Sequence, residues 1–256
     1  MQNTAIHPDA ILEQEVTVGK FTTIEKNVEI GEGTWIGSNV TIMSGSRIGK
    51  YCKIFPGAVI GAIPQDLKFS GEDSLAIIGD HTTIRECVTI NRGTSASGKT
   101  QVGSHNLIMA YSHIAHDCRI GDHCIFSNNS TLAGHIEIGN HVILAGLVAI
   151  HQFGSVGDFA FVGGGVKVRK DVPPFVKAAR EPVSYVGVNS IGLRRKGFSA
   201  EKIQEIQNIY RILFQKNHNI SQAVRIIEAE MLATPERDQI LQFINNSKRG
   251  IMKGYF

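Results

Sequence analysis

Stepping along the chain by six residues from Ile6, an aliphatic or aromatic side chain is met almost every time as far as Val168. The series runs from Ile6 and Leu12 to Ile60, resumes as Ile78, Ile84 and Ile90, and continues from Val102 through Phe126 and Ile150 to Val168. Only Asp66, Glu72 and Ala96 fall out of step. Glycine often follows the aliphatic position, as at Gly19, Gly31, Gly49, Gly103, Gly121 and Gly139. Four positions after it stands a small residue such as Thr22, Thr34, Cys52, Ser112, Cys118 or Ser130.

A helix needs a period near 3.6 and an isolated strand a period of 2. A period of six instead describes one short strand plus one turn, repeated. The aliphatic side chain points inward, the small residue fills the corner, and glycine is expected to relieve the turn. Three units close a triangular coil of about 18 residues, and stacked coils pair about 4.8 Å apart. The chain is thus expected to be mainly β, a parallel β-helix of hexapeptide repeats. The interruptions at about 61–77 and 91–101 keep the register across polar, Gly- and Ser-rich sequence, and are read as two external loops on a rigid scaffold.

After Val168 the segment RKDVPPFVKAAREP reads as an extended strap. The period then turns helical. Ser199 is placed to cap a helix whose apolar stripe is Ile203, Ile206, Ile209, Tyr210 and Leu213. Ser221 is read as the cap of a second helix ending at Glu230, and Thr234-Pro235 as the start of a third ending near Ser247. Two domains result: 1–190, the β-helix with its loops and strap, and 191–256, an α-helical domain.

Composition narrows the class without changing this picture. Hydrophobic residues make up 42%, which argues against disorder, and a net charge of +3 does not by itself mark a nucleic-acid binder. No apolar run is long enough to span a membrane and no signal peptide is visible, so a cytoplasmic protein with no membrane span is expected. Cys52, Cys118 and Cys124 occupy the small-residue position, and no pair forms C-x-x-C, so they read as reduced core residues.

A prism filled with aliphatics has no internal pocket, so chemistry must sit outside it or between subunits. The densest polar cluster is HIAHDC, with His113, His116 and Asp117. His116 has the chemistry of a general base, and a carboxylate beside it could orient the ring. Adjacent residues on a strand usually point apart, so sequence alone leaves that contact open. His135 lies one coil beyond Asp117 on the same face, and His151 a further coil along on a neighbouring column. A second set, His105, His123 and His141, forms a straight ladder that reads as a polar turn position, since a ladder is poor tetrahedral geometry for zinc. Basic residues gather after the repeat, including Lys167, Arg169, Lys170, Lys177 and Arg180, and could meet an acidic carrier protein or a diphosphate.

Taken together, QDLK (65–68), IRECVTINRGT (84–94), HIAHDC (113–118), NNSTLAGH (128–135), AIHQF (149–153), DVPPFV (171–176), GVN (187–189) and GLRRKGF (192–198) resemble the UDP-N-acetylglucosamine O-acyltransferase family, the first enzymes of lipid A synthesis. The resemblance covers nearly the whole chain. It implies a left-handed coil, which the period alone does not give. It implies a homotrimer with the site between neighbouring prisms, no metal and no cofactor beyond the phosphopantetheine thioester of acyl carrier protein. A 3-hydroxyacyl chain would pass from that carrier to the sugar 3-hydroxyl.

By the same resemblance His116 is the base, Asp117 its support, and Gly134 the backbone donor to the oxyanion. Asp66, Lys68, His113 and His135 line the sugar and acyl cleft. His151, Gln152, Asn189 and Arg195 bind the nucleotide, while Gln65 and Gly164 lie along the acyl groove. Ile191 stands where the family usually has an acidic residue, Lys196 replaces an arginine, and REPVS (180–184) departs from the usual segment. Rival readings are acylation of a 3-amino sugar, the related N-acyltransferase, an acetyl-CoA-dependent transferase, a zinc-dependent β-helical carbonic-anhydrase-like enzyme, and a non-catalytic prism.

Overall fold

The computed structural model describes residues 3–215 and 219–254. Its main body is a three-sided parallel β-helix. Face A has nine strands, from Ala5–Ile6 to Lys167–Val168; face B has eight, from Ile11–Leu12 to Ser155–Val156. Face C has eleven, from Thr17–Val18 through Phe161–Val162, then Val176–Ala179, Ser184–Val188 and Lys253–Gly254. Most strands are two residues long, one pointing out and one in. The inward residues Ile24, Ile42, Ile60, Ile90, Ile114 and Leu132 are all buried.

The turns correct one expectation. The backbone enters the left-handed region three residues after the aliphatic position, as at Asn27, Tyr51, His105, Asp117, His123 and His135. The glycines directly after the aliphatic residue serve close packing instead. A Cβ on Gly121 would lie 2.8 Å from the Gly139 backbone, and one on Gly79 would lie 2.7 Å from Gly103. Successive coils press together there, and any side chain would part them.

The small corner residues also do more than fill space. Thr22 Oγ1 donates to Gly37 O and Thr34 Oγ1 to Gly49 O, each bonding one coil to the next. Cys118 Sγ and Cys124 Sγ donate at the same position to Ala133 O and Gly139 O. All four cysteines are free. Burial pushes the thiols up, to about 11 for Cys52 and about 12 for Cys118 and Cys124. These three are core residues, not reactive ones.

The loops are shorter than the polar sequence implies. Gly61 and Ala62 end the face A strand Val59–Ala62, while Leu75–Ile78 and Lys99–Val102 pair along face B over four residues. The excursions are therefore 63–74 and 92–98. The first widens the coil to 30 residues and the second to 24, against 18 elsewhere. Ser95 N of the second loop donates to Glu72 Oε1 of the first, and Asn91 Nδ2, at the end of the strand before the second loop, donates to Ile63 O.

The strap carries the stack further than the periodicity shows. Val172 bridges to Val156, and Val176–Ala179 pairs in parallel with Phe161–Val162 before turning back antiparallel to Ser184–Val188. Among the described residues four helices follow: α1 (Ser190–Arg195), α2 (Ala200–Gln215), α3 (Ile220–Glu230) and α4 (Pro235–Asn246). Helix α1 has only six residues, too few for its period to show in the sequence. Ser199 Oγ accepts from Lys202 N at the start of α2 and Thr234 caps α4, but α3 is capped by Asn219 in a capping box with Gln222, not by Ser221. The α2 stripe packs on the end of the prism, where the Tyr210 hydroxyl donates to Pro174 O at 2.6 Å. No helix among the described residues is long and apolar enough to cross a membrane.

Candidate active site

The A/B corner carries Asp117, His135 and Phe153 on three successive coils, each at the left-handed turn position. The turn resolves the question of His116. Because Asp117 sits at φ 60 rather than on a strand, its side chain folds back to its neighbour, and His116 Nδ1 lies 2.8 Å from Asp117 Oδ2. Both residues are buried, and the carboxylate is fully enclosed. His135 stands edge-on to His116 with ring centroids 5.1 Å apart, and its Nε2 is 3.7 Å from the same Asp117 oxygen. Phe153 stacks on His135 at 4.6 Å.

Further hydrogen bonds tie Asp117 to the loop at 92–98 and the strand after it. Thr94 N donates to Oδ1 at 3.0 Å and Thr94 Oγ1 to Oδ2 at 2.7 Å. Ser97 Oγ donates to Oδ1, and the backbone N–H of Asp117 donates to Thr100 Oγ1 at 2.8 Å, so Thr100 holds the main chain while Thr94 and Ser97 hold the carboxylate. Burial alone would raise the carboxyl; the Ser97, His116 and Thr94 hydrogen bonds outweigh it and hold it at about 2. Asp117 is therefore held as the anion, an acceptor that fixes the proton of the 2.8 Å contact on His116 Nδ1.

Gly134 lies against the His116 ring: a Cβ there would be 2.5 Å from Cε1 and 2.6 Å from Nε2. Its N–H has no acceptor among the described residues, although its C=O accepts from Phe153 N. His113, half-buried, is held by Thr89 Oγ1 at 2.7 Å. Burial, followed by the nearby His116, lowers the pKa of His113. A groove of about 360 Å³ runs from Asp117 past His135 and Phe153 to Asn246 and Lys248.

His113, His116, Asp117, Gly134 and His135 are thus brought together. Of the other expected residues, His151 and Gln152 precede Phe153 one coil above Gly134, and the rest lie elsewhere on the chain. Gln65, Asp66 and Lys68 are on the first loop, whose tip residue Leu67 is fully exposed. Gly164 is exposed, with space for a Cβ only 3.3 Å from Gly146 O. His151 is exposed, and the Gln152 carbonyl accepts from Arg249. Asn189 is buried as the N-cap of α1, accepting from Gly192 N and donating to Phe159 O, while Arg195 ends that helix.

Thr94, Ser97, Thr100 and Phe153 are additions that residue-by-residue reading does not single out. Phe153 carries a signal, since it continues the 18-residue column of Asp117 and His135. The His116–Asp117–His135 cluster is compact enough to invite a metal reading. The two Asp117 oxygens, however, already accept from Thr94 N, Thr94 Oγ1, Ser97 Oγ and His116 Nδ1, which a cation would have to displace.

Comparison with known proteins places this geometry. A family model described as UDP-N-acetylglucosamine O-acyltransferase, domain 2, matches residues 171–252, and one for bacterial transferase hexapeptide repeats matches 27–62 and 99–134. The acyl-[acyl-carrier-protein]--UDP-N-acetylglucosamine O-acyltransferase of Myxococcus xanthus is 46% identical over 97% of this chain and 96% of its own. The chain belongs to the UDP-N-acetylglucosamine O-acyltransferase family. Among solved structures, the acyltransferase of that name from Bacteroides fragilis superposes with a TM-score of 0.97 at 50% identity, covering 99% of both chains. The structure from Acinetobacter baumannii gives 0.96 at 39% identity, again over 99% of each. The fold is accordingly the left-handed parallel β-helix of these acyltransferases, with a helical C-terminal part. A buried imidazole beside a backbone N–H with no acceptor among the described residues has the chemistry to assist attack on a carbonyl.

Proposed function

We propose that this chain transfers a 3-hydroxyacyl group from acyl carrier protein to the 3-hydroxyl of UDP-N-acetylglucosamine in the cytoplasm, the first step of lipid A synthesis, with His116 as general base. Family membership supports the reaction. The observation that carries the residue roles is the buried His116–Asp117 pair at 2.8 Å with Gly134 against the ring.

With Nδ1–H donated to Asp117, the His116 lone pair is on Nε2. The sugar oxygen attacks the thioester carbonyl carbon as Nε2 takes its proton. The resulting oxyanion accepts from the Gly134 N–H. Collapse breaks the C–S bond, and the leaving sulfur receives the proton from Nε2. The products are the O-acyl sugar nucleotide and the carrier thiol, and His116 is returned neutral. No group outside the protein and the two substrates is required.

A homotrimer fits the dispersal of the remaining residues. Asp66 and Lys68 on one loop, and Asn189 and Arg195 at the far end, touch no part of the dyad within one chain, and a cleft closed by a second copy would bring such sets to one substrate. The outward positions Leu107, Ile125, Ile143 and Phe161 form an apolar stripe on face C suited to that contact. Gly164 is read as an open point along the acyl groove.

The test is direct. Purified protein is incubated with UDP-N-acetylglucosamine or its 3-amino analogue and with 3-hydroxyacyl carrier proteins of several chain lengths, and products are read by mass spectrometry alongside light scattering. An ester product from a trimer is expected. Product only from the amino sugar would overturn the acceptor, and an active monomer would overturn the inter-subunit cleft.

A further inference from the structure

The six residues added by the second loop are placed where the chemistry is. They enter between the face A strand Thr89–Asn91 and the face B strand Lys99–Val102, at the corner directly before Asp117 in the stack. The loop is built as a rigid clasp. Gly98 N donates to Thr94 O at 2.7 Å, Ala96 N to Thr94 Oγ1 at 3.2 Å, and Lys99 N to Ser97 Oγ at 3.4 Å. Gly93 admits no side chain, since a Cβ would lie 2.3 Å from Lys99 N. From below, Glu72 of the first loop accepts from Ser95 N at 3.0 Å.

The clasp delivers three donors to one carboxylate: Thr94 N, Thr94 Oγ1 and Ser97 Oγ. This carboxylate has a choice of imidazole partners. Asp117 Oδ2 is 2.8 Å from His116 Nδ1 and 3.7 Å from His135 Nε2. Rotation of an unpinned carboxylate would trade the first contact for the second. With three donors fixed on both oxygens, that rotation breaks hydrogen bonds to a buried charge, the costly kind.

We infer that Thr94 and Ser97 are positioning residues of the reaction, pinning the Asp117 carboxylate onto His116 and away from His135 so that Nε2 of His116 is the free base. They touch no substrate and act through Asp117. The inference rests on the reading of His116 as base, and the experiment separates the two.

The experiment is a double-mutant cycle on the full-length enzyme, with kcat, KM and thermal unfolding measured for each variant. Thr94→Val keeps the shape of a buried side chain while removing its hydroxyl, and Ser97→Ala lies at an exposed position, so both are expected to fold. Together they should lower kcat by about 10-fold with KM for the sugar nucleotide nearly unchanged. In an Asp117→Asn background the same pair should lower kcat less than about twofold further, because the group they act through has been altered. Thr94→Ser with Ser97→Thr, which keep both hydroxyls, should restore most of the rate. If Thr94→Val with Ser97→Ala leaves kcat unchanged, or lowers it by one factor in both backgrounds, the positioning role is overturned while the base reading stands. If Asp117→Asn alone keeps the parent kcat, the His116–Asp117 reading itself fails, and the clasp role falls with it.

Discussion

Two corners of the prism use the same repeat position for opposite ends. At the B/C corner Tyr51, His81, His105, His123, His141 and Phe159 form one column of parallel rings, with the four central histidines 4.8–4.9 Å apart. The spacing is that of the coils themselves. Backbone N–H groups beside the column are capped from the next coil, Ser104 N by Asp122, Asp122 N by Asn140 and Asn140 N by Asp158. At the A/B corner the column is broken into a carboxylate, an imidazole and a phenyl ring. A loop intrudes on it, and the N–H of Gly134 is left without an acceptor among the described residues. Along the B/C corner these backbone donors are each met by a side chain one coil away. At the A/B corner the Gly134 N–H has no such partner among the described residues and stands beside the His116 ring, placed to act on something else.

The sharpest way to break this comparison is to remove one histidine from each corner. A sugar hydroxyl is a weak nucleophile near neutrality, and a positioned base is worth about 10²–10⁴ in rate. His116→Ala should lose about that much kcat with the fold intact, whereas His105→Ala should keep the parent kcat. Steady-state kinetics under one set of conditions decides it. Loss of activity in His105→Ala with retention in His116→Ala would reverse the roles of the corners and end the mechanism proposed above.

A smaller effect sharpens the contrast through pH. The Asp117 carboxyl, a fully enclosed side chain, is held at about 2 against an ordinary value of 3.8. A depressed carboxyl contributes stability above its unfolded pKa and loses it as pH falls through the folded one. The contribution is thus complete above about pH 4 and gone near pH 2, and amounts to roughly 2 kcal/mol. Denaturant unfolding of the parent should lose that much more stability than Asp117→Asn over this window. Parallel curves for the two proteins would show that the clasp does not stabilise the anion.

Much of this division is legible in the chain, and the parts that are not have physical causes. The six-residue period carries the coil, the faces and the 18-residue columns, so counting alone puts Asp117 and His135 on one column. The His116–Asp117 contact is hidden because strand alternation says neighbours diverge, and only the left-handed turn at Asp117 reverses that. Thr94 and Ser97 are hidden because they reach Asp117 across an insertion that breaks the 18-residue count. The loops look too long because Leu75–Ile78 and Lys99–Val102 are flanked by polar sequence yet pair fully. Asn189 shows the reverse: a residue implied as a nucleotide ligand also has a structural task, capping α1, that its position after a strand does not disclose.

The smallest expected effect tests whether the B/C ladder is structural alone. Parallel imidazoles 4.8 Å apart cannot converge on one ion at nitrogen–metal distances of about 2.0–2.1 Å. Burial, then Lys196 and His123, lower the pKa of His141. A stack held by ring contact should accept another flat ring. His123→Phe, like Phe159 at the same corner and Phe21 elsewhere in the repeat, should leave stability and kcat within error of the parent. His123→Asn removes the ring but keeps a residue that tolerates the left-handed turn, as Asn27 and Asn129 do. Its cost should be the lost stacking, about 0.5–1.5 kcal/mol, with kcat unchanged. Both are read by denaturant unfolding and by assay. If His123→Phe abolishes activity while remaining folded, the imidazole itself is needed, and the B/C corner would have to be counted as a second functional surface of the prism.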